Sequence, residues 1–154
     1  MKVSFGKISA KGTFAPVWPY GTDLYGRFVY LEKGNTRALI AAFDFSGTQP
    51  KEANRWRREV AALTGIPEGA LWYHELQIHA APYGEQLKGE PMDKLIARSA
   101  EEINRMISRA EECECFVCES DFGTECSFNR DQYVEGLGGV TVWPGMSFDE
   151  EGRP

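Results

Sequence analysis

The chain has 154 residues, 42% hydrophobic and 26% charged, with a net charge of −6. That size and balance describe one globular domain over 1–154 with a real core, and they exclude a disordered or collagen-like chain. The longest basic cluster is Arg55-Trp56-Arg57-Arg58. It is too small for the electrostatic footprint of a nucleic-acid binder.

No apolar run approaches the roughly 20 residues that a membrane-spanning helix needs, and the start, Met1 to Lys7, lacks the apolar core of a signal peptide. All four cysteines fall between Cys113 and Cys126, which suits a reducing compartment. A cytoplasmic location is the expectation.

In chain order, Lys2 to Ile8 reads as a strand, followed by a Gly/Pro/aromatic loop over residues 12–21. Leu24 to Glu32 and Thr36 to Phe45 read as two strands joined through Lys33-Gly34-Asn35, whose turn chemistry predicts a hairpin. The second is apolar on both faces at Ala38 to Phe43, as a central strand requires. A helix follows from Pro50 to Thr64, closed by Gly65 and Pro67, with Ala53, Trp56, Val60 and Leu63 on its apolar face.

The strand Leu71 to Ala80 comes next and carries both histidines. Read with a period of two, it sends Trp72, His74, Leu76, Ile78 and Ala80 one way and Tyr73, Glu75, Gln77 and His79 the other. The second set is a polar stripe that either serves a site or faces water. Strand, helix and strand together make a βαβ unit, whose two strands are expected to run parallel. Ligands in open α/β sheets gather beyond the carboxyl ends of such strands, where Asp44 and His79 both fall. The alternative for Asp44 is to cap the start of the helix, a role that Ser46 or Thr48 could also fill.

A second helix is expected from Pro91 to Glu111, with Met92, Leu95, Ile96, Ile103, Met106, Ile107 and Ala110 at helical spacing. Strands are then expected at Cys113 to Glu119, Thr124 to Asn129 and Val140 to Trp143, before an acidic tail over 144–154. The fold class is α/β: a mixed sheet containing a βαβ unit, two main helices packed on it, and a C-terminal β-hairpin.

Two histidines five apart do not share a helix face, so His74 and His79 are not a helical zinc motif. Cys113, Cys115, Cys118 and Cys126 are the remaining metal candidates, but structural zinc sites usually present paired knuckles at both ends, and here the fourth thiol stands alone. The expectation is therefore no metal and no cofactor, with zinc as the alternative. A turn near Phe122 would bring Cys118 opposite Cys126. Otherwise the cysteines read as small buried hydrophobes.

Several segments, taken in order, resemble the N-terminal part of the neutral/alkaline ceramidase family of zinc-dependent amide hydrolases. They are Leu24-Tyr25-Gly26-Arg27, the strand Thr36 to Asp44, the helix exit Thr64-Gly65-Ile66-Pro67, Gln77-Ile78-His79-Ala80-Ala81-Pro82, and Ser127-Phe128-Asn129-Arg130. The resemblance implies that His79 and Arg130 occupy catalytic positions and that Asp44, Gln77 and Asn129 line the substrate side. The zinc-binding histidine of the family's motif falls at Gln77, an amide with neither charge nor an imidazole lone pair, so it is a poor zinc ligand.

The family's other ligands come from later sequence, and the two histidines of this chain cannot assemble a family-type site. Three readings follow. One is a degenerate ceramidase-like domain that keeps a pocket for a small anionic ligand without zinc-dependent amide hydrolysis. Another is a metal-dependent amide or ester hydrolase whose site is shared across subunits. The third is a cysteine-based metal or redox module. Exposed sheet edges predict a homo-oligomer.

Overall fold

The computed structural model describes residues 1–10, 23–78, 81–120, 131–134 and 138–141, the last two segments by their backbone. Two compact units divide the chain, Met1–Cys115 and Phe116–Pro154.

The first unit is built on a five-stranded mixed sheet. β1 (Lys2–Ser9), β2 (Tyr25–Lys33) and β3 (Thr36–Phe43) are antiparallel neighbours, and β4 (Leu71–Glu75) runs parallel to β3 with Leu39 opposite Leu71 and Phe43 opposite Glu75. A two-residue β5 (Glu111–Glu112) pairs with Lys2 and Val3 to complete the order β4-β3-β2-β1-β5. The hairpin between β2 and β3 turns at Gly34, whose φ of 57° lies where a side chain would be strained.

Both helices lie on one face of this sheet. α1 (Pro50–Thr64) starts with proline in its first turn and ends at Gly65, a left-handed cap whose N–H bonds to the Ala61 carbonyl. It buries Glu52, Trp56, Val60 and Thr64, one residue per turn. Leu63, expected on that stripe, is 56% exposed, because the buried line follows the i, i+4 positions from Trp56.

α2 (Glu90–Ser108) buries Met92, Leu95, Ile96, Ser99, Ala100, Glu102, Ile103 and Met106 against the sheet and α1. It stops short of the expected Glu111, since Glu111 and Glu112 leave the helix to pair with β1. Two hydrogen-bonded links accompany its apolar stripe, the first buried and the second part-buried. Trp56 donates its indole N–H to the Ser99 hydroxyl at 3.2 Å, and the Glu102 carboxylate accepts from Arg105 and Arg109. Gly6 lets α2 approach: a Cβ there would run into the Met106 side chain.

The core joins Phe28, Tyr30, Leu39, Phe43, Phe45, Trp56, Ile103 and Met106, with Phe43 in ring contact with Phe28, Phe45, Trp56 and Tyr73. In the second unit β6 (Asp131–Val134) and β7 (Gly138–Thr141) form an antiparallel pair, made of other residues than the hairpin expected about Phe122.

Two expected strands need correction. Cys113 to Glu119 forms no strand, and its Phe116 and Val117 are exposed, because no neighbouring strand among the described residues pairs with the segment. The expected Leu71 to Ala80 strand ends at Glu75. The expected strand Thr124 to Asn129 lies outside the described residues, and so does the acidic tail over 144–154.

Candidate functional site

The parallel pair β3 and β4 sends two segments past its carboxyl end side by side. Leu76 N–H bonds to the Phe43 carbonyl at 3.0 Å and Ile78 N–H to that of Phe45 at 3.3 Å. Ser46 N–H then reaches the Pro82 carbonyl at 3.2 Å, and Gly84 N–H the Gly47 carbonyl at 2.8 Å. The strand alternation breaks between these bonds, because Gln77 has φ 53°, a left-handed conformation rare for any residue but glycine. Gln77 is exposed there instead of continuing the stripe of Tyr73 and Glu75.

Tyr73 and Glu75 point to the helix side, where their polar groups are satisfied internally. The Glu75 carboxylate accepts the Thr48 backbone N–H at 2.8 and 2.9 Å, the Thr48 hydroxyl, and the Tyr73 hydroxyl at 3.1 Å. Thr48 Oγ1 also lies 2.8 Å from the Tyr73 hydroxyl oxygen. Burial, reinforced by the Glu75 charge, holds the Tyr73 phenol well above its ordinary pKa, although the Thr48 hydrogen bond works the other way. Tyr73 therefore stays protonated as a donor.

None of Asp44, Ser46 and Thr48 is the N-cap of α1. The N-cap of α1 is Gln49, which makes no side-chain cap bond, and the donor just before it is satisfied by Glu75 from the neighbouring strand.

Asp44 leaves β3 toward the opposite side of the sheet. It is buried, accepting the Tyr25 backbone N–H at 2.9 Å and a guanidinium N–H of Arg27 at 2.5 Å. The Arg27 side chain is half-exposed and sits 5.3 Å from the Tyr25 ring centroid, with the Lys7 ammonium 5.2 Å from the same ring. The carboxyl end of the parallel pair thus carries a neutralised carboxylate, two cations around an aromatic ring, and the exposed Gln77 amide.

Of the residues singled out in the sequence, Asp44 and Gln77 both stand at this end, Asp44 already engaged by Arg27 and Gln77 open. His79, Asn129 and Arg130 lie outside the described residues. Cys113, Cys115 and Cys118 are exposed free thiols, not the buried hydrophobes expected, because no strand among the described residues pairs with the segment. Residual desolvation and the neighbouring Cys115 thiol push the Cys113 thiol up. Cys126 lies outside the described residues, and among those described no three His, Cys, Asp or Glu side chains gather to hold a metal ion.

Arg27 was not singled out as functional from sequence, and Tyr73 and Glu75 were read only as part of a polar stripe and Thr48 only as a possible cap, without their linkage. Arg27 could have been found from the hairpin, whose register sets it opposite Ala42, two residues before Asp44. Compared with protein-family models, curated proteins and solved structures, the chain matches none of them. Among the described residues no helix is long and apolar enough to cross a membrane.

Proposed function

We propose that this chain is a degenerate ceramidase-like domain that holds a small anionic molecule beyond the carboxyl ends of β3 and β4 and does not catalyse zinc-dependent amide hydrolysis. The observation that carries the reading is the parallel register of β3 with β4, which sets Asp44 and Gln77 at the same end of neighbouring strands, where ligands gather in open α/β sheets. Support comes also from Gln77 itself. An exposed residue held at φ 53° is a local strain of the kind that clusters at ligand sites, and its amide is a poor substitute for a metal-binding imidazole.

Arg27 keeps half its side chain in solvent while neutralising Asp44, and the planar guanidinium of Arg130 suits a carboxylate, phosphate or sulfate. His79 and Arg130 act in this reading on the bound molecule, with Gln77 and Asn129 as hydrogen-bonding partners. The domain self-associates through sheet edges, β4 being an edge strand with one side unpaired among the described strands.

Metal analysis of the purified protein, combined with titration of phosphate, sulfate and acetate, tests the proposal. It expects saturable anion binding that Arg130→Ala weakens at least about tenfold, a loss equal to about 1.4 kcal/mol. Gln77→His is expected to raise zinc affinity only slightly, because catalytic sites usually need three protein ligands. Stoichiometric zinc that His79→Ala removes would overturn it in favour of a hydrolase site shared between subunits. Zinc removed only by cysteine substitution would favour the cysteine-based module.

A further inference from the structure

The face of the sheet turned away from α1 and α2 has a definite pattern. Cross-strand register aligns Phe5 with Val29, Val29 with Ile40 and Ile40 with Trp72, one apolar row across all four long strands. The row is not level. Phe5 is 70% exposed and Trp72 66% exposed, whereas Ile40 is 37% exposed and Val29 half-buried. Two aromatic walls therefore stand on β1 and β4, with a branched aliphatic floor between them.

Three inter-strand spacings separate those walls, about 14 Å. An α-helix with its side chains is about 10–12 Å across. A helix laid along the strands therefore fits between Phe5 and Trp72, and a sheet covered by helices on one face gains a second helical layer on the other.

Charge narrows the occupant. The next outward row reads Lys7, Arg27, Ala42 and His74, and Lys33 stands at the far end of β2. No carboxylate occupies an outward position in β1 to β4. Asp44, just past β3, is buried against Arg27, and Glu111 of β5 stands at the corner beside Val3. A cationic, apolar face on a chain of net charge −6 is local design, not bulk composition. A second copy of the same face would set cations against cations, at a cost in association.

We infer that the outer face of this sheet, the groove between Phe5 and Trp72 over Val29 and Ile40, docks an acidic amphipathic helix of a partner protein. Its apolar stripe covers the row, and its carboxylates meet Lys7 and Lys33, the charge of Arg27 being already matched by Asp44.

The full chain tests this with a labelled leucine/glutamate amphipathic peptide of about 18 residues. At 1.5 Å per residue it spans about 27 Å, close to the roughly 26 Å of an eight-residue strand. Saturable binding in fluorescence anisotropy is expected, weakened at least about tenfold by Phe5→Ser and by Trp72→Ser. Both side chains are exposed, so the variants should keep the wild-type circular dichroism and melting temperature. A leucine/lysine peptide of the same pattern should bind at least about tenfold more weakly.

No saturable binding, equal binding of the two peptides, or binding indifferent to both serine variants would each overturn the inference. So would Trp72→Ser dissociating a homo-oligomer in light scattering, which would make the face a contact between copies. Tight binding to anionic phospholipid vesicles with none to the peptide would assign the face to a membrane surface instead.

Discussion

Gln77 holds a backbone conformation that costs a residue with a Cβ about 1–2 kcal/mol. Gln77→Gly should therefore raise stability by roughly 0.5–1 kcal/mol, read from denaturant midpoints. Gln77→Val should lower it by more, because branching at Cβ worsens the clash. An unchanged midpoint in both variants would place Gln77 in an ordinary extended conformation. The neighbouring network of Thr48, Tyr73 and Glu75 contributes to stability as well. Thr48→Val and Glu75→Gln should each cost about 1–3 kcal/mol, since each removes a hydrogen bond from a part-buried group that water replaces poorly. The double variant should cost less than the sum of the two, because both dismantle the same contacts. Strict additivity would mean that the two side chains act independently.

At the scale of elements, α2 is the principal core helix, and Ile103→Ala should cost about 2–5 kcal/mol because that side chain is fully buried. Leu63→Ala on α1 is the control and should move stability by no more than about 0.5 kcal/mol, since Leu63 faces solvent. Equal effects would mean that the two helices present other faces to the sheet. β2 carries a pH dependence of its own. Burial, and then the hydrogen bond to Glu32, push the Tyr30 phenol up to about 12 against the opposing charge of Arg37. An unfolded tyrosine loses its proton near pH 10. Between about pH 10 and 12 the unfolded state thus binds fewer protons than the folded one, and stability falls as the pH rises. Tyr30→Phe should make that alkaline decline shallower, as followed by urea midpoints at stepped pH. A slope unaffected by the substitution would remove Tyr30 as its source.

For the whole molecule, the elements that carry their own local signals were legible. Gly34 marks the hairpin, and Pro50 and Gly65 bracket α1 to the residue. The apolar spacing of α2 marks its buried face, although its last turn was overextended to Glu111. What was not legible depends on partners distant in sequence. The alternation from Trp72 to Ala80 continues past Glu75, so its periodicity gives no warning of the turn at Gln77. The polar stripe could serve a site or face water by pattern alone. Tyr73 and Glu75 do neither, because Thr48, 27 residues before Glu75, supplies the missing bonds. Cys113 to Glu119 has strand-like composition around Phe116 and Val117, but a β-prone run becomes a strand only where a neighbour accepts it. Asp44 was found as a strand-end residue, and its neutralisation by Arg27 becomes visible only in the antiparallel register of β2 with β3.

Edge pairing through β4 predicts a dimer or larger assembly in light scattering at tens of micromolar, and a monomer there would contradict it. Titrating phosphate into isotope-labelled protein while following backbone amide resonances tests for the anion site proposed beyond the carboxyl ends of β3 and β4. Saturable shifts concentrated at Asp44, Gly47, Gln77 and Ile78, with an affinity that Arg130→Ala lowers at least about tenfold, are the predicted result. Shifts that do not saturate, or that centre on residues away from that end of the sheet, would contradict the account.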